Sequence, residues 1–265
     1  MYFVFRQSLL AILLYTFLFT FIVNAHSKEI FIFSFNDLRR YSDESKNALG
    51  FAKFASGLND YKKSLGATQD NSVVVAAGDL YQGGFLSNVS HGDIVSPFFN
   101  IIGVRLSAVG NHDLDWGLDH FKKWEKDGGF EFLSANLKSS DGSSLFKKYK
   151  ILNISGYKVA FIGFTTTESA FTVPGSTLSS AGGLLFDNAA VIANELVKDI
   201  RKNHSPDYII ALTHIGALQD KVSGVVSGAE IEELSKVEGI DAIISGHTHT
   251  NVAGMLNGKA VVEAC

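Results

Sequence analysis

From residue 29 onward, short runs of consecutive apolar residues alternate with stretches in which apolar residues recur every three or four positions. The first pattern suits buried strands and the second suits helices with one covered face. Residues 29–35 read as a strand, and residues 49–65 as a helix with Leu49, Phe54, Leu58 and Tyr61 towards one side. Residues 72–77 form a β-branched strand, 94–102 a helix with Asp93 as N-cap and Pro97 in its first turn, and 106–109 a short strand. A helix over 118–126 stops at Gly128-Gly129, and 130–135 is another strand. Residues 149–154 and 157–164 flank Ser155-Gly156 and read as a hairpin. The Ser/Thr/Gly-rich stretch 165–183 reads as a surface loop near the site. Helices over 187–202 and 229–236 alternate with strands over 207–213 and 241–245. A second hairpin, 252–256 and 259–264, turns at Asn257-Gly258. This alternation predicts an α/β fold with helix-covered sheets, and the late hairpins make those sheets mixed rather than purely parallel.

The first 25 residues break the pattern. Arg6 is the only charge before His26, residues 9–23 are apolar or weakly polar, and Val23-Asn24-Ala25 places small residues where a signal peptidase reads. The expectation is a signal peptide over 1–25 and a secreted or periplasmic chain with no stable membrane span after cleavage. The alternative is an uncleaved anchor. A chain of 265 residues, 46% apolar, supports one large core over 26–265. The net charge of −4 excludes the basic footprint of a nucleic-acid polymer as partner. Cys265, the lone cysteine, excludes an internal disulfide, and its place at the last position suggests a domain truncated at its C-terminus.

Five of the predicted strands run into residues that bind metals. They lead to Asn36-Asp37, Gly78-Asp79, Gly110-Asn111-His112-Asp113, Thr213-His214 and Gly246-His247-Thr248-His249. Strand ends in open α/β sheets share a rim, so residues distant in sequence can converge there. Carboxylate, imidazole and amide oxygen together suit a divalent cation of the Mn, Zn or Fe kind. Two such ions can clamp a phosphoryl group for in-line attack. The remaining histidines, His26, His91, His120 and His204, read as solvated, and Trp116 and Trp124 as helix-entry and core packing.

These segments, together with Leu133-Ser134-Ala135-Asn136, resemble the calcineurin-like metallophosphoesterases, and within them the secreted 5'-nucleotidase branch. The resemblance implies a four-layer α-β-β-α sandwich around two divalent ions of the Mn, Zn, Fe, Mg or Ca kind. It assigns Asp37 and His249 to the first ion, Asp79 to the bridge between the two, and Asn111, His214 and His247 to the second. It makes His112 the transition-state stabiliser or general acid, with Asp115 orienting its ring.

Where that family has Asp-x-His after the first strand, this chain has Asp37-Leu38-Arg39. A guanidinium has no lone pair to offer a metal. Three readings of Arg39 stay open: it leaves the first ion a ligand short, it meets the substrate phosphate, or it is a solvated neighbour of Arg40. The expected function is an exported phosphohydrolase acting on 5'-nucleotides or other small phosphate esters. The alternatives are a catalytically impaired metal- and nucleotide-binding scaffold, and a cyclic-nucleotide or sugar-nucleotide diesterase.

Overall fold

The computed structural model describes residues 29–38, 50–179 and 183–264. In chain order the first part runs β1 (Phe31–Phe35), α1 (Gly50–Ser64), β2 (Ser72–Ala76), α2 (Phe85–Ser90), α3 (Ser96–Ile102), β3 (Val104–Ala108), α4 (Phe121–Gly128), β4 (Glu131–Leu133) and β5 (Leu137–Ser139). A hairpin of β6 (Tyr149–Ile154) and β7 (Tyr157–Thr165) follows, then α5 (Ser169–Thr172), α6 (Gly175–Leu178), β8 (Leu184–Phe186) and α7 (Ala189–His204). The last part is β9 (Tyr208–His214), β10 (Leu218–Gln219), β11 (Val226–Ser227), α8 (Ala229–Ser235), β12 (Ala242–Ser245), β13 (Val252–Leu256) and β14 (Lys259–Glu263).

Strands β1-β2-β3-β4 make a four-stranded sheet whose neighbours are all parallel. The second sheet has the order β13-β14-β12-β9-β7-β6, parallel from β14 to β7 and antiparallel at both hairpin edges. Alternation along the central strands shows how the sheets stack, because successive side chains of a strand leave on opposite faces. Val73 and Val75 of β2 meet Phe161 of β7 and Ile210 and Leu212 of β9 in one buried cluster between the sheets. Val74 and Ala76 face the other way, into a cluster with Phe54, Phe98, Phe99 and Trp124 from α1, α3 and α4. Ile209 and Ala211 of β9 face a third cluster with Ala193, Val197 and Ile200 of α7 and Leu234 of α8. The layers are therefore helix, sheet, sheet, helix. Central strands covered on both faces must be apolar throughout, which is why they read as uninterrupted runs.

Several local expectations are corrected. Helix α3 starts at Ser96, with Val95 at its cap; Asp93 instead pairs with Lys123 at 3.3 Å. Helix α4 starts at Phe121, after His120. Strand β4 ends at Leu133, and the 165–183 stretch carries α5 and α6. His91 is exposed, as expected, whereas His120 is partly covered. The His120 ring stacks on Trp124, and the His91 ring stands edge-on to Trp116. The N-terminal segment assigned as a signal peptide lies outside the described residues, as do Arg39, Arg40 and Cys265. Among the described residues no helix is long and apolar enough to cross a membrane.

Candidate metal centre

Strands β1, β2 and β3 of one sheet, and β9 and β12 of the other, deliver their following residues to a common rim. The loops touch directly: Asp37 N donates to Gly78 O at 3.0 Å. Glycines make this approach possible. A Cβ on Gly110 would lie 2.2 Å from Asp79 Oδ1, and one on Gly78 would lie 2.7 Å from His214 Nδ1. Four of the predicted ligands have left-handed backbones: Asp37 (φ 53°), Asp79 (56°), His247 (93°) and His249 (53°). Among the described residues, the other non-glycine ones with positive φ sit where turns call for it. His91 and Ser205 end helices, while Ser155 and Asn257 open the hairpin turns. Such backbones cost on the order of 1–3 kcal/mol each and persist where the surroundings enforce them, typically at functional sites.

Ligand atoms of Asp37, Asp79 and His214, all three buried, lie within 4.8 Å of one another. Asn111 Oδ1 adjoins this group, 3.1 Å from His214 Nε2 and 3.1 Å from His247 Nδ1. His214 Nε2 is 3.4 Å from Asp79 Oδ2, and His249 Nε2 is 3.0 Å from Asp37 Oδ1. The structure thus brings all six predicted ligands to one rim, with His249 half-exposed at its outer side.

Hydrogen-bond partners on the far side of two rings fix which nitrogens face inward. His214 Nδ1 lies 2.7 Å from the carbonyl of Ala77, which can only accept, so Nδ1 carries a proton. His247 Nε2 lies 2.9 Å from Glu168 Oε2, so Nε2 carries a proton. In the neutral rings, His214 Nε2 and His247 Nδ1 then present lone pairs to Asn111 Oδ1 and Asp79 Oδ2. Acceptors facing acceptors in a buried space call for a cation between them. The mixed carboxylate, imidazole and amide set fits a divalent metal.

The electrostatics report the same demand. Burial opposes a charge on His214, yet Asp79, by attraction and hydrogen bonding, then Asp37 and the Ala77 carbonyl, push its pKa up to about 9. A proton on that ring supplies positive charge where the carboxylates need it.

Sequence reasoning missed the residues that brace this rim. Asp113, in the recognised Gly-Asn-His-Asp string, is fully buried and accepts from the backbone N–H groups of Asp79 (2.9 Å), Leu80 (2.8 Å) and Gly110 (2.9 Å). It ties the β2 loop to the β3 loop. Burial and the nearby Asp79 raise its pKa to about 6, against the lowering effect of those bonds. Glu263, also buried, accepts from Thr248 N at 2.9 Å, Thr248 Oγ1 at 2.7 Å and Ala217 N at 3.1 Å. It holds the residue between His247 and His249. Asn36 exchanges two bonds with the backbone of Ala264 and donates to Asp37 Oδ2 at 2.6 Å. Glu168 is the only charged residue between positions 165 and 183, a signal that could have singled it out.

His112 stands beside the centre rather than in it. Its Nδ1 is 2.8 Å from Asp115 Oδ2, and its backbone N–H donates to Asp79 Oδ1 at 2.8 Å. The His112 ring is partly exposed, and its own amide holds the Asp79 carboxylate of the rim.

The calcineurin-like phosphoesterase family matches residues 36–251. Among curated relatives, the chain is 29% identical to Protein UshA of Yersinia enterocolitica over 206 residues, covering 77% of this chain and 37% of that protein. It is 30% identical to rat 5'-nucleotidase over 243 residues, covering 85% of this chain and 39% of the relative. The chain therefore spans about two fifths of the length of these relatives. The crystal structure of the 5'-nucleotidase precursor from Thermus thermophilus superposes with a TM-score of 0.70 at 22% identity, covering 88% of this chain and 48% of that one, and shares the fold. With that match over most of the described residues, and with this rim of convergent acceptors, the chain belongs to the calcineurin-like phosphoesterase family of metal-dependent phosphoester hydrolases.

Proposed function

We propose that the chain is an exported phosphomonoesterase that removes phosphate from 5'-nucleotides at a two-ion centre. The observation that carries this reading is the convergence of Asp79 Oδ2, Asn111 Oδ1, His214 Nε2 and His247 Nδ1 with no donor among them in the neutral state. These four would hold one ion. Asp37 and His249 would hold the other, with Asp79 between the two. When bound, divalent ions supply the Lewis-acid charge that activates water and neutralises phosphoryl oxygens.

The chain's own residues do the rest. His112, oriented by Asp115, is placed to give a proton to the departing alkoxide. Because its amide also donates to Asp79, the proton donor and the carboxylate between the ions are tied to each other. A cleft of about 520 Å³ opens beside His249, lined by Gln219, Asp220, Lys221, Thr250 and Asn251. Its volume suits the organic part of a small phosphate ester. The 5'-nucleotidase names of the relatives direct the substrate choice to nucleoside monophosphates. The apolar N-terminal run followed by Val23-Asn24-Ala25 is the basis for export.

The test is phosphate release from AMP, an aryl phosphate and a phosphate diester, after chelation and re-addition of Mn²⁺ or Zn²⁺. Metal-dependent release from AMP above the other two supports the proposal. Turnover of the diester alone would move the chain to the diesterase class. Folded, metal-loaded protein without turnover would make it a binding scaffold.

A further inference from the structure

We propose that Glu168 is a positioning residue that sets the ring tautomer and orientation of His247, and so the strength of the ion site that His247 shares with Asn111. The proposal rests on the reading of this rim as a metal centre. His247 has two ring nitrogens with different neighbours. Nδ1 faces Asn111 Oδ1 at 3.1 Å, while Nε2 faces Glu168 Oε2 at 2.9 Å. A carboxylate can only accept from a neutral ring, so it fixes the proton on Nε2 and leaves the Nδ1 lone pair for the ion. Without that partner the free imidazole distributes its proton between both nitrogens, and its ring is free to turn about χ2. A carboxylate behind a ligating imidazole also raises the basicity of the nitrogen that ligates.

The local structure holds Glu168 in place for this role. The segment leaving β7 is tied to the centre by Thr166 N, which donates to the carbonyl of His214 at 3.0 Å. Thr166 Oγ1 donates to Glu230 Oε1 of α8 at 2.6 Å and accepts from Glu168 N at 3.2 Å. Thr167 N donates to the other Glu230 oxygen at 3.2 Å. Glu168 then opens α5, its carbonyl accepting from Phe171 N at 2.9 Å and Thr172 N at 3.2 Å. The backbone of Glu168 is thus braced from α8 and from the strand that ends in His214. Its side chain is 65% exposed, so it fills no space in the core, and truncating it leaves no cavity. An exposed pair of this kind adds little to folding stability. Its effect falls on the ring it orients.

The experiment uses metal-free full chain and follows two readouts, neither of which needs turnover. Mn²⁺ binding is measured by electron paramagnetic resonance of the free ion. The ring nitrogens are observed by ¹⁵N NMR, with His247→Asn identifying the His247 signals. The wild type is expected to show His247 as the Nε2–H tautomer. Glu168→Ala is expected to mix the tautomers and weaken the tighter Mn²⁺ site about ten-fold or more. Glu168→Gln, whose amide oxygen can still accept from Nε2–H, is expected to restore the tautomer and most of the affinity. Wild-type affinity and an unmixed tautomer in Glu168→Ala would overturn this inference alone. A wild-type chain that binds no Mn²⁺ would overturn the metal reading and this inference with it.

Discussion

Replacing Asp113 tests whether the rim is held by the carboxylate behind it rather than by the ions in front. Asp113 is fully buried and receives three backbone N–H groups, two on Oδ2 from Asp79 and Gly110 and one on Oδ1 from Leu80. Bonds to a charged acceptor contribute roughly 1.5–3 kcal/mol each. Against them stand burial and the repulsion of Asp79, which outweigh the lowering effect of the bonds and leave its pKa at about 6. Asp113→Asn keeps the shape of the side chain. With its oxygen towards Asp79 and Gly110 it retains two bonds and turns an NH₂ on Leu80 N, leaving one buried donor unpaired at about 1–3 kcal/mol. Asp113→Ala strands all three donors, at about 4 kcal/mol or more. Urea unfolding in chelator, read as the midpoint at constant slope, should rank wild type above Asp113→Asn above Asp113→Ala. An Asp113→Asn variant as stable as wild type would show that burial and repulsion cancel the three bonds, and would refute the bracing role.

Other consequences follow from the same geometry. His112→Ala should cut turnover by about 10²–10⁴ while bound metal stays constant, as measured by steady-state kinetics beside metal analysis; equal loss of both would make His112 a structural residue. Gly110→Ala drives a Cβ to within 2.2 Å of Asp79 Oδ1 and should weaken metal binding in a chain with native circular dichroism. Gly57→Ala, inside α1 with nothing within 4 Å, is its control and should raise stability by about 0.5–1 kcal/mol in urea unfolding. With the His214 pKa near 9 in the metal-free state, ion binding at pH 7 must displace its proton. Calorimetry in buffers of different ionisation heat should then show about one proton released, with affinity rising towards pH 9. The sign for stability is the reverse. The folded pKa lies above the unfolded value of 6.5, so the metal-free chain keeps this contribution below pH 6.5 and loses it as pH rises through 9, which thermal unfolding across that range would show.

Helix-covered sheets were legible because β2, β7, β9 and β12 are covered on both faces and carry apolar runs along their centres, while the four-layer order came from the family resemblance. The metal-binding residue types at Asp37, Asp79, Asn111, His214, His247 and His249 were legible because each lies at or just past the end of a strand, where the backbone leaves the sheet, while their assignment to ions and the His112–Asp115 pairing came from the family resemblance. Short elements on the rim were not: β5, β8, β10 and β11 are two or three residues long, below any period that a pattern can show. Helix α2 follows Gly83-Gly84 and leaves Phe85 and Val89 exposed, so no covered stripe announced it. The bracing carboxylates were hidden for a different reason. Glu263 lies at the end of a hairpin strand and Asp113 within a turn-forming string, where acidic residues usually mean solvent. Their burial follows from the close approach of Thr248 and the β2 loop, which only the packed sheets create. His120 meets Trp124 one turn further along its own helix, a contact its sequence spacing allowed, while the ring of exposed His91 meets Trp116 across a turn.

The proposed function requires one divalent ion among Asp79, Asn111, His214 and His247. An anomalous difference map from a crystal grown with Mn²⁺ tests it without reference to any substrate. The expected peak lies in contact with Asp79 Oδ2, Asn111 Oδ1, His214 Nε2 and His247 Nδ1, with His214 Nδ1 still bonded to the Ala77 carbonyl. A map with no peak at that rim, or with Mn²⁺ bound only elsewhere on the protein, would contradict it.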